Sequence, residues 1–210
     1  MKSRLLSGLA GIVVALSLTR SPNNLNAQEN RRISTCLVND VFHPADPRLI
    51  NLYFRRLSQE YEEQAGVEFY EAERHNLENV TAYVVILQTD LSLQKIQKTC
   101  EKSEVSIFFT RSTGYSIKGE DAIILLGGKA AWDYGVIIIY EFGRLDSFSS
   151  MLHEVGHLFR IKFEDNESDT YHDSESSFMN QDGDGGWTQK VRDKIIQNKY
   201  VQWQRYQLPQ

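Results

Sequence analysis

The segment Met151-Leu152-His153-Glu154-Val155-Gly156-His157-Leu158-Phe159 constrains the fold of this chain more than any other. On a helix, residues four apart share a face, so His153 and His157 point the same way. Their neighbours Met151, Leu152, Val155, Leu158 and Phe159 are apolar and need burial against another layer. A buried pair of imidazoles without partners is costly. The helix must therefore enter the interior while its two rings still find something polar to bind. One metal ion meets both demands, and Glu154, beside the first ring, then lies within reach of a water on that ion. H-E-x-x-H on a buried helix is what a zinc-dependent hydrolase needs. The competing reading is a solvated surface helix, and the apolar neighbours argue against it.

The rest of the chain supplies a sheet for that helix. Arg31 to Phe42 reads as a first strand, and Pro44 and Pro47 mark the turn after it. Asp46 is an N-cap with Pro47 at the first helical position. Leu49, Leu52, Tyr53, Leu57 and Tyr61 recur at helical spacing up to Gly66, predicting a long amphipathic helix. Val67 to Glu71 reads as a short strand and Val80 to Leu87 as a strand buried on both faces. Leu91 to Glu101 returns to helical spacing, and Val105–Thr110, Asp121–Leu126 and Tyr134–Tyr140 read as further strands. Ser147 to Phe159 is the active-site helix, followed by a polar loop over Asn166–Ser177 and a glycine-rich turn over Gln181–Gly186. Thr188 caps a C-terminal helix running to about Asn198, with Val191, Ile195 and Ile196 inward. This order predicts a mixed α/β (α+β) fold, a twisted mixed sheet with the long N-terminal helix and the active-site helix packed on it.

The N-terminus has the layout of an export signal. Lys2 and Arg4 precede an apolar run from Leu5 to Leu18, shorter than a membrane span, and Ser21 to Gln28 is polar. Residues 1–27 are expected to be a signal peptide cut after Ala27, leaving one domain over 28–210 and a secreted or periplasmic monomer without stable membrane insertion. A net charge of -5 excludes a general nucleic-acid binder, which needs a basic excess. The two cysteines, Cys36 and Cys100, are expected to pair in an oxidising compartment. The alternative is a Cys36 thiolate bound to the metal. Asn79 and Asn166 begin sequons, which matter only in a glycosylating host. Asp182-Gly183-Asp184-Gly185-Gly186 lacks most calcium ligands and reads as a turn. Trp132 sits near the presumed cleft edge, and Trp187 and Trp203 read as packing residues.

A catalytic zinc keeps three protein ligands and a water. His172 is the only histidine after His157, with Glu164, Asp165, Asp169 and Asp173 as carboxylate alternatives. His172 is preferred because Asp173 to Ser177 has turn composition and leads into Phe178-Met179-Asn180, where a methionine sulfur suits an irregular apolar floor. Taken together, His153-Glu154-x-x-His157, His172 and the Ser177-Phe178-Met179-Asn180 turn resemble the metzincin metallopeptidases, the matrixin-like and archaemetzincin-like members in particular. The order of elements agrees over most of the chain, while the specific motif spans about thirty residues. The resemblance implies a zinc ion held by His153, His157 and His172, with Glu154 as general base. It also implies a peptide or protein substrate laid antiparallel to an edge strand near Ala130–Tyr134 or the adjoining Tyr134–Tyr140. A secreted zinc-dependent endopeptidase is the resulting expectation. The alternatives are a zinc hydrolase of non-peptide amides and a binding protein that keeps zinc without turnover; an intact Glu154 favours an enzyme.

The chain departs from the family pattern at one place. The pattern expects glycine at 160 and a ligand at 163, where this chain has Arg160 and Phe163. Glycine leaves a helix easily with positive φ, and arginine does so at a steric cost. The expectation is that the helix runs on to about Asn166 and that His172, nine residues beyond 163, arrives by a longer route.

Overall fold

The structure is a computed structural model describing residues 31–78, 90–118, 122–131, 134–143, 147–163, 171–174, 177–180 and 185–198. The signal segment 1–27, the strand expected over Val80–Leu87, Asn79, Asn166, Glu164, Asp165, Asp169, Asp182 to Asp184, Trp132 and Trp203 lie outside the described residues. In chain order the elements are β1 (Arg31–Asp40), α1 (Pro47–Ala65), β2 (Val67–Leu77), α2 (Asp90–Thr99), β3 (Val105–Phe109), β4 (Gly114–Lys118), β5 (Ala122–Leu126), β6 (Gly128–Ala131), β7 (Val136–Ile139), α3 (Ser147–His157) and α4 (Gln189–Asn198). Among the described residues no helix is long and apolar enough to cross a membrane.

The principal sheet has the order β2-β1-β3-β7-β6, and β4 pairs with β5 as a separate antiparallel hairpin. β1 pairs in parallel with both β2 and β3, and β3 pairs in parallel with β7. β6 runs antiparallel to β7 and forms one edge. Strands covered on both faces read as unbroken apolar runs, which is why β7 (Val-Ile-Ile-Ile) is buried throughout. Ile33, Leu37, Ile107, Phe109, Ile137 and Ile139 face one core with α1, α3 and α4. Cys36, Val38, Phe108, Val136 and Ile138 face the other with Leu93, Ile96 and Cys100. A Cys36–Cys100 disulfide ties β1 to the end of α2 across a separation of 64 residues, so the Cys36 sulfur is not a metal ligand.

Local chemistry explains the placement of α1. Asp46 accepts from the Arg48 amide at 2.8 Å, Pro47 occupies the first turn, and Gly66 ends the helix at φ +66°. Its buried stripe is Ile50, Phe54, Leu57, Tyr61 and Ala65. Leu52, expected on the inner face, is 58% exposed, because the true stripe is offset from it by half a turn. β2 is longer than the strand expected over Val67–Glu71. Pairing with β1 continues to Asp40↔Leu77 across a register shift at Thr35/Cys36, and the charged residues of β2 suit an edge. β4 escaped the sequence reading, and β6 overlaps the edge strand expected near Ala130–Tyr134 but spans Gly128 to Ala131. Gly128, one residue beyond Gly127, opens β6.

Candidate metal centre

α3 packs against β6, β7 and α1. Its approach to the edge strand depends on two small residues. A Cβ on Gly127 would lie 2.3 Å from Ser150 Oγ, and one on Gly128 would lie 2.5 Å from Glu154 Cγ. From below, the buried Tyr61 of α1 donates its hydroxyl to the Leu152 carbonyl at 2.9 Å, one residue before His153. Burial pushes the Tyr61 hydroxyl well above its ordinary range, so it stays a donor. Its ring stacks on Phe159 at 5.6 Å and meets Phe178 and Trp187 edge-on.

The sequence places His153 and His157 on one face, and the structure brings His172 to them. Ligand-capable atoms of the three lie within 4.8 Å of one another. The His153 and His157 Nε2 atoms are 3.0 Å apart, and the His172 ring lies 5.2 Å from His153 and 4.9 Å from His157 between centroids. His153 Nδ1 donates to the Phe178 carbonyl at 2.8 Å, which fixes the ring and leaves Nε2 facing the cluster. Nitrogen ligands of a tetrahedral zinc lie about 3.3 Å apart, so three converging imidazoles of this spacing fit such an ion. Of the carboxylate alternatives, Asp173 is turned elsewhere, its Oδ1 lying 2.6 Å from Lys190 Nζ.

The exit from α3 corrects the expectation drawn from Arg160. The helix ends at His157 and does not run on to Asn166. The amides of Leu158, Phe159 and Arg160 bond to the carbonyls three residues back, and Arg160 takes the left-handed conformation at φ +49°. That conformation costs a non-glycine residue about 1–2 kcal/mol. Phe159, Ile161 and Phe163, each at most 1% exposed, enter the core across this turn, and the burial of any one of them offsets the strain.

Beneath the histidines lies the expected turn. The Asn180 amide bonds to the Ser177 carbonyl, and the Phe178 amide to Gly186. Met179 is fully buried and abuts α3 where Gly156 leaves room, since a Cβ there would sit 2.1 Å from its sulfur.

Glu154 points between α3 and β6. The Ala130 amide donates to its carboxylate and the Lys129 ammonium attracts it, yet burial outweighs both and raises the carboxyl to about 8. The edge strand is thus β6. The tract Tyr134–Tyr140, one of the two expected substrate-binding edges, includes β7, which lies inside the sheet between β3 and β6. Sequence reasoning placed Phe178 in the turn and Ala130 at the edge strand without their contacts to His153 and Glu154, and missed Lys129 and Tyr61 as supports of the site. Only the Gly127-Gly128 pair carried a signal, a glycine doublet marking close backbone approach.

No family model and no curated protein sequence matches the chain. Solved structures similar to it include the archaemetzincin from Methanopyrus kandleri, with a TM-score of 0.54 and 15% identity over 83% of this chain and 99% of that one. Another is the archaemetzincin from Archaeoglobus fulgidus complexed with malonate, with a TM-score of 0.46 and 14% identity over 78% of this chain and 99% of that one. At such identities the likeness extends to the backbone arrangement, and the chain has a mixed α/β fold similar to that of archaemetzincin.

Proposed function

We propose that the chain is an exported zinc-dependent endopeptidase in which His153, His157 and His172 hold the metal and Glu154 is the general base. The observation that carries this reading is the convergence of three imidazoles on an archaemetzincin-like fold, two of them on the helix that also carries the raised Glu154 carboxyl. Zinc bound there would supply a Lewis acid that polarises a scissile carbonyl and acidifies water. Glu154 takes the proton of the attacking water and passes it to the leaving amine. A carboxyl poised near neutral pH suits both transfers.

β6 supports the peptide. Tyr140 N bonds to Gly127 O, so in the antiparallel register Gly127, Lys129 and Ala131 face β7. The main-chain groups of Gly128 and Ala130 point away from β7; the Ala130 amide donates to Glu154, and an extended substrate can pair with Gly128 and with the Ala130 carbonyl. A binding protein that keeps zinc without turnover has no need of a carboxyl next in sequence to a ligand and held by β6, and Glu154 favours the enzyme.

The test is Glu154→Ala. Zinc content stays near one per chain in wild type and variant, while casein cleavage is found in the wild type alone. Cleavage that survives the substitution would remove Glu154 from the mechanism, and a wild type that takes up no zinc would remove the metal centre. Export is checked by the N-terminus of the protein recovered from the periplasm or medium, expected at Gln28.

A further inference from the structure

We propose that Lys190 of α4 is a positioning residue that clasps the segment carrying His172 and so presets the third metal ligand. The inference rests on the three-histidine reading above and concerns how that site is assembled. His172 lies in a stretch of turns, 171–174, and needs anchoring from elsewhere. Lys190 Nζ lies 2.6 Å from Oδ1 of Asp173, whose side chain is wholly buried, while that of Lys190 is 28% exposed. The same ammonium stands 5.2 Å from the centre of the Phe163 ring, and Lys194, one turn on, stands 5.5 Å from it. One cation therefore meets Phe163, a few residues after α3, and Asp173, the neighbour of His172.

The clasp has a firm base. Val191 and Ile195 seat α4 in the core, and Thr188 Oγ1 accepts from the Val191 amide. The Asp173 amide donates to the Met179 carbonyl at 2.8 Å, joining the same residue to the turn under His153. A charge-assisted bond to a buried carboxylate is short and directional, so fixing Asp173 fixes the backbone of its neighbour His172. A ligand held in place beforehand lowers the ordering entropy that metal binding must overcome. Phe163 stands where the shorter family pattern puts a ligand; here its ring packs under the ammonium instead.

The experiment measures zinc affinity of the purified full chain against a chromophoric chelator, together with thermal unfolding of the metal-free protein. Lys190→Met is expected to weaken zinc binding about 10- to 100-fold. Asp173→Asn with Lys190→Met removes the pair without stranding a buried charge, and the same loss is expected. Lys190→Arg retains the cation and keeps affinity within about threefold of wild type. Adding Lys190→Met to His172→Ala produces no further loss, because the clasp acts through His172. A general structural role would instead lower affinity by the same factor in both backgrounds, and that result overturns the proposal. Wild-type affinity in the Asp173→Asn, Lys190→Met protein also overturns it while leaving the three-histidine site intact. A wild type that binds no zinc sinks both readings.

Discussion

Gly156→Ala sets two well-understood effects against each other in the metal-bearing helix. In a helix interior, alanine is favoured over glycine by about 1 kcal/mol, so propensity alone predicts a more stable protein. The structure predicts the opposite. The new Cβ would sit 2.1 Å from Met179 Sδ and 2.9 Å from Phe178 Cε2, and both residues are fully buried. Ordinary contact between such atoms is about 3.5–4.0 Å, so the buried Met179 and Phe178 side chains must retreat, the sulfur by more than an ångström, and they push on the turn that carries them. Overpacking of this kind costs about 1–3 kcal/mol. The same retreat stretches the 2.8 Å bond from His153 Nδ1 to the Phe178 carbonyl. Loss of a support that orients a metal-bound histidine lowers affinity about 10- to 100-fold. The expected outcome is a net loss of about 1–2 kcal/mol in urea unfolding of the metal-free protein, with a zinc affinity at least tenfold weaker. Met179→Ala in the same chain opens room for the methyl, so the double variant should be less destabilised than the sum of the two single changes. A Gly156→Ala protein that is more stable than wild type and binds zinc unchanged would refute the reasoning.

Other expectations follow from single contacts. Tyr61→Phe keeps the aromatic packing but removes the donor to the Leu152 carbonyl, and should cost about 1 kcal/mol in denaturant unfolding. Replacing both Cys36 and Cys100 by alanine frees a 64-residue loop in the unfolded chain and should cost about 4 kcal/mol, visible as a lowered melting temperature that reductant no longer changes. Glu154, raised from 4.5 to about 8, stays protonated in the folded metal-free protein while the unfolded chain has already lost that proton. The folded state then binds more protons, so stability falls as pH rises from 4.5 to 8, by at most about 5 kcal/mol. Glu154→Gln should flatten that part of the stability profile, and an unchanged slope would show that the carboxyl is not held protonated.

Much of the fold was legible because it rests on local signals. Asp46, Pro47 and Gly66 mark the ends of α1 through capping chemistry that needs no partner. Apolar β-formers mark β3 and β7 as strands, but they did not show that β7 lies inside the sheet, since Tyr134–Tyr140 also read as a possible edge. The buried face of α1 was harder to read, because Leu49, Leu52 and Tyr53 look as apolar as Ile50 and Phe54, and only packing against the sheet chooses between them. β6 is four residues long and composed of Gly, Lys and Ala, none of them a strong strand former. Its strand character comes from the hydrogen bonds offered by β7. Arg160 shows the limit of propensity in another way, since the burial of the residues around it overrides the preference of its own backbone.

Spacing along the chain was enough to place His153 and His157 on one face, with Glu154 the next residue on the same helix, because a helix fixes which residues share a face whatever surrounds it. It was also enough to nominate His172 and the turn at Met179. Tertiary packing alone decided that the His172 ring meets the other two, that Asp173 turns to Lys190, and that β6 lies beside Glu154. Those relations join residues far apart in the chain. They depend on how layers settle against one another, and no local period records that.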